Sequence, residues 1–416
     1  MKERFGNTLK LVCLTALLGG FSGVIIWAFL KASTLCIYYL WNRIPAGTGN
    51  TFLPFIICVL GGLVVGVIHR FYGNYPEELS VVMGKIQKEK HYDYRPITAM
   101  LICAFIPLIC GASVGPEAGL TGIIAALCYW VGDNVTFAKK NSDMFSEIGE
   151  AVTLGQLFHS PLFGILAVEE RDDEEEAVSP MSKGNKLLFY GISSASGFLM
   201  AEILTYFFGT AMDGFPGFST ITMGKEDFLM LLIYIPAGLL VFLFFELSEK
   251  VTKGIGKRIP VILRETLCGA AVGCMALMLP VIMFSGEEQM AELIGTFFTY
   301  SPLVLIGICL LKIIMTTFCI NFGLIGGHFF PLIFACTCMG MGIASIAFAA
   351  EPGLHAAFAA AAVCATVLGA QLKKPVAVSL LLLLCFPVRA LFCIFLCAVI
   401  GKSAASALIK TGTNAS

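Results

Sequence analysis

The sequence is short of charge. Only 13% of its 416 residues are Asp, Glu, Lys or Arg, against 57% hydrophobic, and the mean hydropathy is +0.86. A water-soluble domain carries about 25% charged residues, so this chain lacks the polar surface to cover a water-facing globule. Lipid must be its main solvent. A net charge of −1 leaves no basic excess for phosphates and argues against a nucleic-acid partner. Catalytic constellations are missing too: there is no Ser/His/Asp set, no His-Glu-x-x-His and no pair of intramembrane Asp residues. No enzyme activity and no cofactor are expected. The 16 cysteines stand singly in apolar runs, as small hydrophobic filler rather than a disulfide framework. Cys336-Thr-Cys338 has no second ligand pair, which a zinc site needs, so no metal is expected. Period-two alternation is absent, which excludes a β-barrel. Gly323–Gly327 has no strand–helix unit around it, and Gly401-Lys-Ser403 lacks the upstream glycine of a phosphate loop.

What is there is a series of unequal apolar runs. A simple membrane span needs about 20 residues. Leu11–Trp41 exceeds that, which implies tilt, and it is too long for a secretory signal and has no cleavage site. Phe52–Val67, Phe228–Phe245, Leu267–Phe284, Leu303–Ile320 and Leu382–Ile400 have near-normal length. Pro161–Val168 is too short to cross. Two further runs are broken. Ile97–Ile109 ends in Cys110-Gly-Ala-Ser-Val-Gly-Pro116 and resumes after Glu117; Thr316–Leu324 ends in Gly326-Gly327 and resumes after Pro331. Broken helices at membrane depth survive only where their freed backbone groups line a protein cavity. With 209–227 as a polar divider, the breaks fall at similar depths in halves 1–208 and 228–416 of a single transport domain. That placement points to inverted-topology repeats around a midplane site. The expected fold is therefore all-α and membrane-integral, with tilted and broken helices, several of half-membrane length. Lys2, Arg4 and Lys10, then Arg70, Lys85, Lys88, Lys90 and Arg95, then Lys402 and Lys410 fit one cytoplasmic side, with both termini on it.

Glu117 is the central residue. A carboxylate in a membrane helix is costly unless paired or hydrated, and is a functional candidate by default. Gly115 and Pro116 precede a helix that should begin near Glu117, and the first amides of a helix hold anions. Glu117 can be that anion or be displaced by one. Protonated, it releases the site and carries a proton. Glu169–Glu176, with Arg171 among its acids, reads as a solvated loop. Glu150 is a second intramembrane acid and an alternative proton carrier. His159 reads as a helix-boundary residue, and His328 as filler whose ring can titrate near neutral pH.

These segments resemble the CLC family of chloride channels and anion/proton exchangers. Gly115-Pro-Glu-Ala-Gly119 is similar to the motif Gly-(Lys/Arg)-Glu-Gly-Pro, which carries the gating glutamate. Gly327-His-Phe-Phe-Pro331 matches Gly-x-Phe-x-Pro. Pro161-Leu-Phe-Gly-Ile-Leu-Ala-Val-Glu-Glu170 resembles the Pro-Leu-Ala-Gly-(Ile/Val)-Leu-Phe segment that ends in Glu-Glu. Tyr75-Pro76-Glu77 resembles the end of Gly-Ser-Gly-Ile-Pro-Glu, and Gly401-Lys-Ser-Ala-Ala-Ser-Ala407 resembles Gly-Lys-Pro-Leu-Tyr-Ser-Ala. The matches come in family order over nearly the whole chain. The resemblance implies a homodimer in the plasma membrane with one pathway per subunit, carrying chloride or another small anion and, in exchangers, protons. The expectation is a bacterial-type member without the cytoplasmic regulatory domains of many relatives.

The resemblance also places the site. It puts Glu117 at the gate and Gly73, Asn74, Gly115, Pro116, Gly327, His328, Phe329 and Ala405 around the anion. The chain departs from the pattern at four places. The anion-coordinating Ser falls on Gly73 and the coordinating Tyr on Ala405, so backbone amides and Asn74 would have to serve. Pro116 replaces the basic residue of the gating motif, and Ala118-Gly119 replaces Gly-Pro. The inner proton-transfer Glu falls on Arg171 without a gap, or on Glu170 with a shift of one. Relatives without that Glu include channels, some exchangers and the fluoride-exporting branch, which departs at the Ser and Tyr positions as well. Fluoride export is the alternative within the family; a membrane protein without transport is the alternative outside it.

Overall fold

The computed structural model describes residues 2–77, 81, 82, 85, 92–135, 142–158, 160–170, 183–211 and 216–413. Arg171, His159 and the acids of 172–176 lie outside the described residues. The fold is a bundle of α-helices, and among the described residues nine helices are long and apolar enough to cross a membrane. Helix α1, Lys2–Tyr38, runs on through a π-helical turn, Tyr39–Arg43. There follow α2 (Leu53–Tyr72), α3 (Ile97–Ile109), α4 (Glu117–Asn134), α5 (Ser142–Leu157), α6 (Pro161–Glu169), α7 (Lys183–Phe208) and α8 (Lys225–Gly256). The chain continues through α9 (Val261–Met278), α10 (Glu287–Thr296), α11 (Pro302–Asn321), α12 (Phe329–Ala347), α13 (Pro352–Leu372), α14 (Pro375–Leu382) and α15 (Leu391–Thr413).

Exposure sorts the helices. Most of α12 and α13 is buried inside protein, whereas α7, α8 and α9 present most of their apolar surface outward. In water such outward leucines and phenylalanines would form an oversized patch; in a bilayer they are the solvent-matched face. Between membrane helices there is no hydrophobic driving force, so contact depends on close packing through small residues. The α2–α9 pair shows how close that packing is. A Cβ on Gly62 would fall 2.3 Å from the Glu265 carbonyl oxygen, and one on Gly269 would fall 2.3 Å from the Cys58 carbonyl oxygen.

Both expected breaks are present, and they meet. Residues 110–116 separate α3 from α4, and 322–328 separate α11 from α12. Gly115 and Gly327 exchange two backbone hydrogen bonds of 2.7 Å each, an isolated antiparallel bridge that satisfies amides no helix serves. The hydroxyls of Ser113 and Thr316 add a contact of 3.0 Å. Trp41 donates from Nε1 to the Ile109 carbonyl at 2.8 Å and braces the end of α3.

The α2–α9 contact gives a test. Gly269→Val forces a branched side chain into the Cys58 carbonyl and should cost about 1–3 kcal/mol, the usual cost of overpacking. It is expected to lower the thermal unfolding midpoint in detergent by several degrees. A variant that melts with wild type would remove the close-packing account.

Candidate functional site

The site forms where the two broken helices converge. Glu117 is the first residue of α4 and is 2% exposed. Its carboxylate serves the other broken helix. Oε1 accepts from the Phe329 amide at 3.0 Å and the Phe330 amide at 3.3 Å, at the start of α12. The sequence suggested that Glu117 would answer to its own helix end. The facing helix, brought in by the Gly115–Gly327 bridge, presents its first amides to the same carboxylate. Pro331 sits in the first turn of α12, where a missing N–H costs nothing.

The glycines on either side make the seat. A Cβ on Gly115 would fall 1.9 Å from Glu117 Oε2, and one on Gly327 would fall 1.9 Å from the Glu117 carboxyl carbon. Only hydrogen at both positions leaves room for the carboxylate. Oε2 is buried and has no hydrogen-bond partner among the described residues. Aromatic rings close the surroundings. Phe158 stacks on Phe330 with centroids 4.7 Å apart, and Phe163 meets Phe158 edge-on at 5.0 Å. His328 caps α12 through its backbone position, packs its ring between Phe245 and Phe329, and leaves Nε2 buried without a partner among the described residues. Pro116, the N-cap of α4, lines a pocket with Val114, Ser33, Phe284 and Glu288; none of Gly115, Glu117, Gly327 or Phe329 lines it.

The remaining expected residues are placed as follows. Gly73 ends α2 with φ +97°, a conformation that suits glycine, and Asn74 accepts from Arg264 Nη2 at 3.4 Å. This loop reaches the site through Pro76, whose Cγ would be 3.9 Å from a Cβ on Gly119. Ala405 is fully buried on α15 and lines a separate pocket with Phe242, Glu246, Gln371 and Lys373. None of Gly115, Glu117, Gly327 or Phe329 lines that pocket. Glu170 closes α6, and its carboxylate accepts from Val376 N at 3.2 Å and Ala377 N at 2.9 Å, at the start of α14. Glu150 lies on α5, 9% exposed.

Sequence reading missed Lys312, which lies near the middle of α11 and is 0% exposed. Its ammonium donates to the carbonyls of Ile282, Met283 and Phe284 at 3.1, 3.0 and 2.7 Å and lies 5.4 Å from the Phe334 ring centroid. A lone Lys in the run Leu303–Ile320 was the signal available. Also missed was the buried group of His69 on α2 with Arg264 and Glu265 on α9.

With the geometry in place, comparison with known proteins assigns the class. Residues 61–406 match the model of the voltage gated chloride channel family, and the chain belongs to that family. Similar solved structures include a slow cyanobacterial Cl⁻/H⁺ antiporter, with a TM-score of 0.77 at 17% identity, over 95% of this chain and 94% of that one. A CLC-type fluoride/proton antiporter superposes with a TM-score of 0.73 at 18% identity, over 96% and 95% of the two chains. A eukaryotic CLC transporter gives 0.74 at 17%, over 96% of this chain and 72% of that one. At such identities the likeness establishes the fold, a CLC-type bundle of inverted repeats. Among curated sequences, the putative ion-transport protein YfeO of Salmonella schwarzengrund (strain CVM19633) and that of Salmonella paratyphi A (strain ATCC 9150 / SARB42) are each 28% identical over 165 residues. The match covers 38% of this chain and 39% of the length of either relative.

The seat makes a non-additive prediction. Gly327→Ala drives a methyl into the Glu117 carboxylate and should destabilise the protein in detergent, by about 1–3 kcal/mol as for other overpacked sites. In a Glu117→Ala background the same change should cost far less, because residues in contact couple. Equal costs in both backgrounds would show that the carboxylate does not occupy the glycine seat.

Proposed function

We propose that the chain moves a small inorganic anion, chloride or fluoride, across the membrane, and that Glu117 is its gate. The observation that supports this reading is the Glu117 carboxylate on the Phe329 and Phe330 amides. A carboxylate is an anion on a tether. Amides at a helix start that hold it would hold a free anion of similar size. Occupation by Glu117 closes the site. Protonation removes the charge that the amides favour, frees the side chain and opens the seat, and it carries one proton with each opening. In this reading Gly115, Pro116, Gly327, His328 and Phe329 form the anion seat, and Gly73 and Asn74 form its approach from the α2 loop. The two halves on either side of 209–227 act as inverted repeats. The working unit is a homodimer in the plasma membrane with both termini in the cytoplasm.

Fluoride is favoured as cargo by one feature. Gly73 and Ala405 bring no side-chain hydroxyl to the pathway. Backbone amides bounded by the Phe158, Phe329 and Phe330 rings make a small, stiff seat, which suits a small anion. Lys312 adds a fixed cation near Phe284, a residue that shares the pocket beside Pro116. We assign it the partial offset of the Glu287 and Glu288 carboxylates, which line that pocket and repel anions.

Purified protein in liposomes loaded with chloride, or with fluoride in parallel, should release the anion. If it is an exchanger, protons move in the opposite direction; a channel shows anion efflux alone. In either case Glu117→Ala should leave anion efflux and abolish proton movement and pH gating. A folded wild-type protein that passes neither chloride, nitrate nor fluoride would refute the transport reading. Lys312→Met should lower the anion efflux rate by about tenfold, the scale of electrostatic steering, with a weaker effect at high salt. Unchanged efflux would remove the steering role.

A further inference from the structure

A second buried group stands behind the loop that carries Gly73 and Asn74. The side chains of His69 on α2 and Glu265 on α9 are both fully buried. His69 Nε2 lies 2.7 Å from the Tyr75 carbonyl oxygen, and Nδ1 lies 3.1 Å from Glu265 Oε1. A carbonyl only accepts, so Nε2 carries a hydrogen. A further proton then belongs between Nδ1 and Oε1. With it, an imidazolium faces a carboxylate; without it, two lone pairs face each other at hydrogen-bond distance.

The surroundings define one charge balance. Arg264 Nη2 donates to the same Glu265 Oε1 at 2.6 Å and to Asn74 Oδ1 at 3.4 Å. Glu265 Oε2 is buried without a hydrogen-bond partner among the described residues. Among the described residues, the thiols of Cys103 on α3 and Cys268 on α9 also face Glu265. On α2, a Cβ at Gly66 would lie 3.3 Å from Glu265 Cβ; on the second break, one at Gly323 would fall 2.3 Å from Oε1. Beyond Tyr75, Glu77 is paired with Lys85. Proton bound, the group holds two cations, His69 and Arg264, and one anion, Glu265, for one net positive charge. Proton released, the balance is zero.

Glu170 takes the inner proton-carrier position of the resemblance only with a shift of one, the ungapped position being Arg171, and its two oxygens are engaged by the Val376 and Ala377 amides. We infer that the His69–Glu265 pair is a proton-binding site of this chain. Its occupancy sets the anion affinity of the 73–76 loop through the Tyr75 carbonyl and through Arg264 on Asn74. The inference rests on the anion-transport reading and adds to it a second titratable site, apart from Glu117. A proton from water on the loop's side binds at Nδ1, the cluster gains its positive charge, and an anion at the adjacent amides is favoured. Return of the proton to water reverses both. Pro76 carries the change to Gly119, two positions beyond Glu117.

The test has two arms on the intact protein. In detergent, nitrogen NMR with ¹⁵N-labelled histidines identifies His69 as the signal missing from His69→Gln. At low pH both of its ring nitrogens should carry a proton, and Glu265→Gln should abolish that state. In liposomes, wild-type chloride or fluoride efflux should fall as the pH on the loop's side is raised, by about tenfold. His69→Gln and Glu265→Gln, shown to be folded by their unfolding midpoints, should flatten that dependence and keep the dependence on the pH of the opposite side, which Glu117→Ala removes. A neutral His69 ring at all pH values would overturn the proposal, as would an unaltered pH profile in both folded variants. Absence of wild-type flux would instead refute the transport reading, and the nitrogen signals alone would then decide the proton site.

Discussion

The structure turns on one contact, a carboxylate from one broken helix on the first amides of the other. A charged side chain at the centre of a bilayer costs about 2.5–3.5 kcal/mol on insertion scales. Two hydrogen bonds to a charged acceptor return about 1.5–3 kcal/mol each, and a helix start adds up to about 2 kcal/mol in a partly buried setting. The terms are of the same order, so the seated carboxylate is held without being locked. A far weaker seat would leave the acid protonated in place, and a far stronger one could not exchange its occupant. The near balance is what a gate requires.

The rest of the architecture serves that contact. Two unhelical stretches must meet in a medium that offers no water to their amides. The Gly115–Gly327 bridge satisfies one pair of amides and carbonyls on each side and sets the distance between the helix starts. The same two glycines leave the volume that the carboxylate fills, so one residue type meets two demands at each position. Of the membrane-length helices, α12, which carries one side of the seat, and α13, which packs on it, are the most enclosed, and α8 packs against α13 with most of its own apolar surface outward. Tight seams such as α2–α9 give that scaffold the stiffness which keeps two amides aimed at one oxygen.

Much of this was legible in the sequence because the membrane makes exceptions visible. A scarcity of charge gives every intramembrane acid meaning, and Gly-Pro breaks in apolar runs announce helix ends. Ile97–Ile109 and the helix start at Glu117 are found where the pattern placed them. The pattern could not say which helix Glu117 would face, because the partner lies 212 positions away in the chain and pairing across that span has no local signature. Ala405 shows the same limit from the other direction. Its motif sets it in family order, yet its surroundings are decided by the packing of α8 and α13 against α15. Lys312 and Glu265 were overlooked for a different reason. Each is a single charge in an ordinary-looking span, and its partners are backbone carbonyls in one case and a distant histidine in the other.

The two buried acids use different means of staying in the membrane, and the contrast bears on how the chain could couple ions. Glu117 is held by amides, which are fixed dipoles that any anion can use, so under the proposed function the carboxylate and the cargo compete for one seat. Glu265 is held by Arg264 and His69, side chains with charge of their own, and its fully buried carboxylate is packed so closely that a Cβ on Gly323 would fall 2.3 Å from Oε1. A group of the first kind can exchange places with the transported ion. A group of the second kind can only change its proton occupancy while it stays in position. A transporter that couples two ions needs one element that moves and one that reports the other ion without moving. Under the proposed function the glycine seat would supply the first condition, and the α2–α9 seam, with no room for a Cβ at Gly62 or Gly269, would supply the second.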